Sequence, residues 1–352
     1  MSDNDFPQTN RVAPKFLLIA LACLPCVLLS TGCDEASGSS RTGPEEIGSL
    51  REQIASASAD IEKIQTSFSQ ARAIEAWVSA AHPIQPLIVA ITRSVLAPSR
   101  LKQLQLVREA DSPGRVIISL ELSDAPKSQM ESILEAIHNL GFREQSVTRA
   151  ESSGAIKFDA VLVWKDSDSE GMRLYPGGQT VDAVQSVDSS TLVSAAPPLP
   201  TSPNADEDGP SLRATLQSLQ DYAHTLTYQT ADTLEFAHMW KPYFALTNDA
   251  NLAERGIAMK LREAELAVPF SSFKVEDCGP LYPGLSEAIP QILRSEVVIE
   301  DSFAKGINWL GIMERIRPTM RICRVSISPS AGKDECRFDL VLEVPLLKQS
   351  PK

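Results

Sequence analysis

Along residues 45–81 apolar side chains recur in alternating steps of three and four: Ile47, Leu50, Ile54, Ala57, Ile61, Ile64, Phe68, Ala71 and, after a miss at Glu75, Val78. That is the a/d spacing of a coiled coil, with Arg51, Glu52, Asp60, Glu62 and Lys63 off the seam. The pattern predicts a long helix from Glu45 to about Ala81. Its seam, centred on Ile47, Leu50, Ile54, Ile61, Ile64 and Phe68, is expected to take a helix of a partner. The other reading is an amphipathic helix lying on its own domain. Pro83 and Pro86 stop the helix.

Beyond Pro83 the period changes. A short helix at Leu87–Val95 leads to Leu101, Leu104 and Leu106, then to Val116, Ile118, Leu120 and Leu122 alternating with Ile117, Ser119 and Glu121, as a half-buried strand does. Met130, Ile133, Leu134, Ile137 and Leu140 stripe a helix closed by Gly141. Strands at 142–149 and 156–164 follow. Residues 165–209 lose periodicity and fill with Ser, Asp, Pro and Gly, the composition of a linker.

A second helical seam at Leu212, Leu216, Leu219, Ala223 and Leu226 then opens a similar series. It comprises a helix at 252–268, a strand at 270–275, a strand at 297–299, a helix at 303–317, a strand at 322–327 and a last strand at 336–344. Corresponding elements lie about 180 residues apart, so one module is used twice in element order, with little identity between the copies. The expected fold class is α+β, two ferredoxin-like αββαββ units, each after a long coiled-coil-type helix. The expected boundaries are a signal segment at 1–33, a coiled-coil helix at 45–82, a first domain at 83–165, a linker at 166–209, a second long helix at 210–245 and a second domain at 246–348.

The N-terminus carries a different pattern. Arg11 and Lys15 precede an apolar run, Phe16 to Leu29, and a small-residue exit, Ser30-Thr31-Gly32-Cys33, which is the layout of an export signal. The exit resembles the lipobox of bacterial lipoproteins, which implies acylation of Cys33 and cleavage before it. The usual Leu three residues before the cysteine is Ser30 here, with Leu29 one place earlier. Asp34 resembles the signal that holds such proteins in the inner membrane of some Gram-negative bacteria. An uncleaved anchor is the alternative; Pro25 argues against a spanning helix. Either way the chain is expected at the periplasmic face of the envelope, held by a lipid or a helix.

A formal charge of −12 offers no field for phosphates, which argues against nucleic acid as a partner. His82, His138, His224 and His238 lie far apart and none belongs to an HExxH motif, so no metal site is expected. Acidic loops beginning at Asp166 and Asn204 open like EF-hands but lack the bidentate Glu at position twelve. Gly284-Leu285-Ser286-Glu287-Ala288 lacks the last glycine of a nucleophile elbow, and Pro283 and Pro290 suggest an extended loop. No cofactor and no catalytic constellation are expected. Cys278, Cys323 and Cys336 allow one internal disulfide. Alternation puts Cys323 and Cys336 on the core face of the last hairpin, opposite Leu340 and Ile327 and too far apart to bond, so a disulfide would use Cys278. Three small buried hydrophobes are the alternative.

Taken together, the membrane segment, the helical seam and the two αββ series resemble the PilN and PilO proteins of type IV pilus machines and their type II secretion counterparts. Residues 76–164 look like a PilN periplasmic domain and residues 212–344 like a PilO-type domain. The resemblance implies a non-enzymatic scaffold that binds partner subunits of such an assembly through its helices and sheets, as a homo- or heterodimer. This chain departs from the family in joining both modules and in its lipoprotein-type signal. An extracytoplasmic ligand-binding lipoprotein is the competing reading.

Overall fold

A computed structural model of the chain describes residues 43–109, 114–126, 128–152, 155–164, 172–174, 180–182, 209–332 and 334–348. The signal segment, with Cys33, and most of the expected linker lie outside these residues.

Helix α1 (Pro44–Ser79) starts on a proline, with Glu45 and Glu46 in its first turn, where acids complement the helix dipole. Then come α2 (Gln85–Ser94), β1 (Arg100–Arg108), β2 (Arg115–Ser123), α3 (Ser128–Asn139), β3 (Phe142–Ser152) and β4 (Ala155–Trp164). A small hairpin, β5 (Met172–Leu174) and β6 (Thr180–Asp182), precedes the second long helix, α4 (Gly209–Trp240). The second series is β7 (Ala245–Leu246), α5 (Ala250–Glu263), β8 (Phe270–Asp277), α6 (Cys278–Leu281), β9 (Gln291–Ser302), α7 (Phe303–Ile316), β10 (Arg321–Pro329) and β11 (Glu335–Leu347).

The strands form one nine-stranded sheet in the order β3-β4-β2-β1-β10-β11-β9-β8, with β7 added in parallel to the end of β11. Neighbours along the main path are antiparallel. The fold is therefore α+β with a single continuous sheet. The two halves meet where β1 pairs with β10, Leu106 opposite Val325.

Both halves carry the same strand order, and the register makes their correspondence residue by residue. One row crosses the sheet as Val147, Ala160, Ile118, Leu106, Val325, Leu340, Val297 and Ser271. The first four and the last four occupy the same strand positions in their halves. Each half has a bulge at the same place, at Gln145 between Glu144 and Ser146 and at Cys323 between Ile322 and Arg324. Helices from both halves cover one face. Ile88, Ile118, Ile133 and Phe158 belong to the same apolar cluster as Ile257, Val297, Leu310 and Leu340.

The seam of α1 finds its partner inside the chain. Leu50, Ile54 and Ile61 are buried against Leu212, Leu216 and Leu219 of α4, with Ile47 packed beside them. Ile64 and Phe68 are half-buried. The helices run parallel: Glu46 pairs with Arg213 near their starts, the Gln65 amide donates to the Tyr222 hydroxyl midway, and Ala73 and Trp77 join Phe236 and Trp240 at their ends. Of the two readings of the seam, the structure shows it packed within its own chain, against α4. At about 1.5 Å per residue the 32 residues of α4 make a stalk about 48 Å long.

Other expectations shift for local reasons. The helix expected to reach Val268 ends at Glu263, because Glu265 turns left-handed (φ 50°) and the Leu266 amide closes on the Leu261 carbonyl. The strand expected at 297–299 spans Gln291–Ser302; Ser295, a polar residue with a buried side chain, interrupts its apolar pattern. The loop between Pro283 and Pro290 is not extended: α6 and turns closed by Leu285 N–H to Tyr282 O and Ala288 N–H to Leu285 O fold it back.

Candidate functional site

The densest grouping of charged and polar side chains lies where the stalk meets the sheet. Helix α1 ends without a basic residue in its last turn, so its terminal carbonyls need donors from elsewhere. Two arginines of the sheet reach this end, one from each half, Arg321 at carbonyls of the last turn and Arg108 at carbonyls just past it. Arg321 of β10 donates from Nη2 to the Trp77 carbonyl at 3.0 Å and the Ala76 carbonyl at 3.4 Å. Arg108 of β1 donates from Nη1 to the Ala80 carbonyl at 2.7 Å, from Nη2 to the His82 carbonyl, and from Nε to the Ile322 carbonyl at 3.0 Å. Each arginine fork thus ties the end of α1 to the sheet.

Arg321 is 5 % exposed, and its guanidinium carbon lies 3.6 Å from the centroid of the Trp77 ring system. Trp77 in turn donates from Nε1 to the Thr319 carbonyl at 2.7 Å and meets Tyr282 edge to face, centroids 5.5 Å apart. Across the strands Arg321 stands opposite Glu343, itself 2 % exposed. That carboxylate accepts from the Tyr282 hydroxyl at 2.5 Å and from Arg294 Nη1 at 3.3 Å. Burial lowers the pKa of Arg321 and raises that of Tyr282, and it lowers Arg108 to about 10.

Next to this group, Glu314 of α7 accepts from the amides of Ile84 at 2.6 Å and Gln85 at 3.2 Å. A carboxylate of the second half therefore caps the first turn of α2 in the first half. Burial pushes Glu314 up to about 7 against the opposing pull of those amides and of Arg108.

Cys278, Cys323 and Cys336 are free thiols. The expected hairpin register is corrected: Cys336 stands opposite Pro329 and Val325 opposite Leu340, while Cys323 is the bulged residue without a cross-strand partner. The turn lies one residue later than expected, which moves the pairs between it and the bulge by two residues, and the bulge then shifts the phase of the positions before Cys323. Burial raises all three thiols, Cys278 to about 11, and Cys323 is pushed up further by the adjacent Glu343. Reactive cysteines have depressed values, so these thiols behave as packing groups.

The histidines are not brought together. His82 stacks on Trp164, centroids 4.7 Å apart, and His138 pairs with Glu144. Among the described residues no cluster of His, Cys, Asp or Glu could hold a metal ion, and no helix is long and apolar enough to cross a membrane. A groove of about 380 Å³ at the β1–β10 junction is lined by Thr92, Arg93, Leu101, Phe303, Ile327 and their neighbours, a mainly apolar set with Arg93 as its charge.

None of the joint residues is among the sequence-derived candidates. Glu343 had a signal: a carboxylate set between Leu340-Val341-Leu342 and Val344-Pro345-Leu346 must be paired if that run is buried. Arg108, Glu314 and Arg321 had none, because each stands at the edge of an element where exposure is the default. No protein-family model, curated protein or solved structure matches this chain.

Proposed function

We propose that the chain is a non-enzymatic scaffold of a pilus-like or secretion machine, anchored at the periplasmic face of a membrane through Cys33 or its signal helix. In this reading a PilN-like and a PilO-like unit are fused in one polypeptide. The observation that carries it is the parallel pairing of α1 and α4, one long helix from each half, joined to the sheet by Arg108 and Arg321. A stalk fixed to a wide sheet holds docking surfaces at a set distance, which is what a scaffold requires. Equal strand orders in the two halves, β3-β4-β2-β1 and β10-β11-β9-β8, support reading each as a ferredoxin-like αββαββ unit. The shallow groove gives less support to the ligand-binding alternative, which would use a deep polar pocket.

The test is made in cells producing the full chain. A clickable fatty acid should label the wild type and not Cys33→Ser, and chain isolated from cross-linked envelopes should carry membrane assembly proteins with it. An unlabelled chain recovered alone from the soluble fraction overturns the proposal.

A further inference from the structure

The row of strand positions that crosses the sheet stops at Val147 on β3 and at Ser271 on β8, the two ends of the strand order. These ends are of different kinds. β8 holds the position in the second half that β1 holds in the first, and β3 holds the position that β10 holds in the second. Inside the chain, the β1 kind pairs with the β10 kind, Leu106 opposite Val325. The free ends are therefore the two sides of a junction the molecule already makes once.

We infer that a second copy of this chain adds its β3 to β8 of the first, antiparallel and in the register of β1 with β10, so that copies join head to tail. Carrying that register over sets Ser271 opposite Val147 of the next copy and Phe270 opposite Thr148, and the helices stay on one face of the extended sheet.

Both ends expose apolar side chains. Val147 is 44 % exposed on β3, and Phe270 and Val275 are 49 % and 42 % exposed on β8. On α5, which precedes β8, Leu252 and Met259 are 62 % and 50 % exposed. The helices to be brought together have complementary charge. At the internal junction α2 meets α7, so at the new one α5 meets α3. Helix α5 exposes Arg255 and Arg262 beside Leu252 and Met259; α3 exposes Glu131 and Glu135. Ser272 comes opposite Ser146 of the next copy, the last pair before the bulge at Gln145.

An exposed strand edge commonly carries charges that discourage pairing, and β3 carries Arg143, Glu144, Arg149 and Glu151. Here these charges restrict the partner to an edge of matching pattern. Because the two surfaces differ, the contact is heterologous, and each copy of a pair keeps one free end to which a further copy can add.

The inference does not rest on the membrane-scaffold reading, and its test is independent of Cys33. Val147→Cys and Ser271→Cys are introduced singly and together in the full chain purified in detergent, then oxidised beside the wild type, which corrects for the native cysteines. The double variant should give a ladder of multiples. Each single variant should stay at the wild-type level, and a mixture of the two singles should give dimer only. Arg255→Glu with Arg262→Glu should cut cross-linking severalfold, and Glu131→Lys with Glu135→Lys in the other copy should restore it. Sedimentation of the wild type gives a second readout, with size rising with concentration and Val147→Asp preventing the rise. A single variant that cross-links to itself as well as the mixture does, or a wild type that sediments as a monomer throughout, overturns the inference.

Discussion

Arg321 and Glu343 face one another in adjacent strands, both almost wholly buried, so each depends on the neighbours that satisfy it. Replacing Arg321 with Ala takes a donor from the Ala76 and Trp77 carbonyls and a neighbouring positive charge from the buried Glu343 carboxylate. Breaking a buried charge arrangement from one side costs about 3 kcal/mol or more. Urea unfolding followed by tryptophan fluorescence should show a loss of that size, and a loss within the range of a surface pair, under about 1 kcal/mol, would contradict this role. Glu314 makes a pH-dependent prediction. Its folded value, about 7, is raised above the ordinary 4.5, so its contribution is fully present below about pH 4.5 and is lost as the pH climbs through 7. Relative to Glu314→Gln, the wild type should lose about 3 kcal/mol between those limits; parallel stability curves for the two proteins would refute it. At Gly306 two effects oppose each other. Alanine favours the helix by about 1 kcal/mol, but a Cβ there would stand 2.6 Å from Cε2 and Cζ of the buried Phe338 ring. Overpacking costs about 1–3 kcal/mol, so Gly306→Ala should lower the melting temperature. The sequence shows little at this scale. Arg321 reads as a residue just outside a strand, and only the end of α1 arriving beside it makes it a buried cap.

The seam of α1 shows what periodicity can and cannot tell at the scale of elements. Its spacing identifies the apolar stripe, and Leu50, Ile54 and Ile61 are indeed buried. A stripe does not say which other stripe it meets. The series at Leu212, Leu216 and Leu219 was equally legible, and the two helices are near in length, 36 and 32 residues. What decides the pairing is that both helices lead into halves already joined by β1 and β10, so their ends start out close and the entropy of bringing them together is small. Ile61→Asp should therefore destabilise the stalk by about 3 kcal/mol, the cost of burying an unpaired charge. Because the partner is in the same chain, the midpoint should not move with protein concentration once Val147→Asp keeps copies from joining at the sheet ends. In that background a midpoint that rises with concentration would mean that α1 pairs with another molecule. Strand existence was likewise legible and strand phase was not. Alternation gives β2 and β4 correctly, yet fails at Cys323, where one bulged residue shifts every earlier position.

For the whole molecule, the repeat was legible as two series of elements about 180 residues apart, whereas their union was not. Nothing in the sequence of β1 or β10 marks them as partners: each is a half-buried strand that could have stood at the edge of its own domain. Their pairing, the α1–α4 stalk, the Glu314 cap on α2 and the shared apolar core are four separate connections between the halves. Residues 165–208 join the halves covalently, and the pairs named for these four connections all lie outside that stretch. If those connections hold the molecule together, the covalent link is dispensable once folding is complete. A specific protease site inserted near Pro200 should allow the folded chain to be cut into two pieces that still migrate as one particle in gel filtration. The pieces should also unfold together in a single transition, because interfaces of core-like packing couple the units they join. Two separable fragments, or two transitions at different denaturant concentrations, would instead describe domains that merely touch. That outcome would also remove the basis for a stalk that moves with its sheet, since Arg108 and Arg321 reach α1 from different halves and can act together only while the halves remain one body.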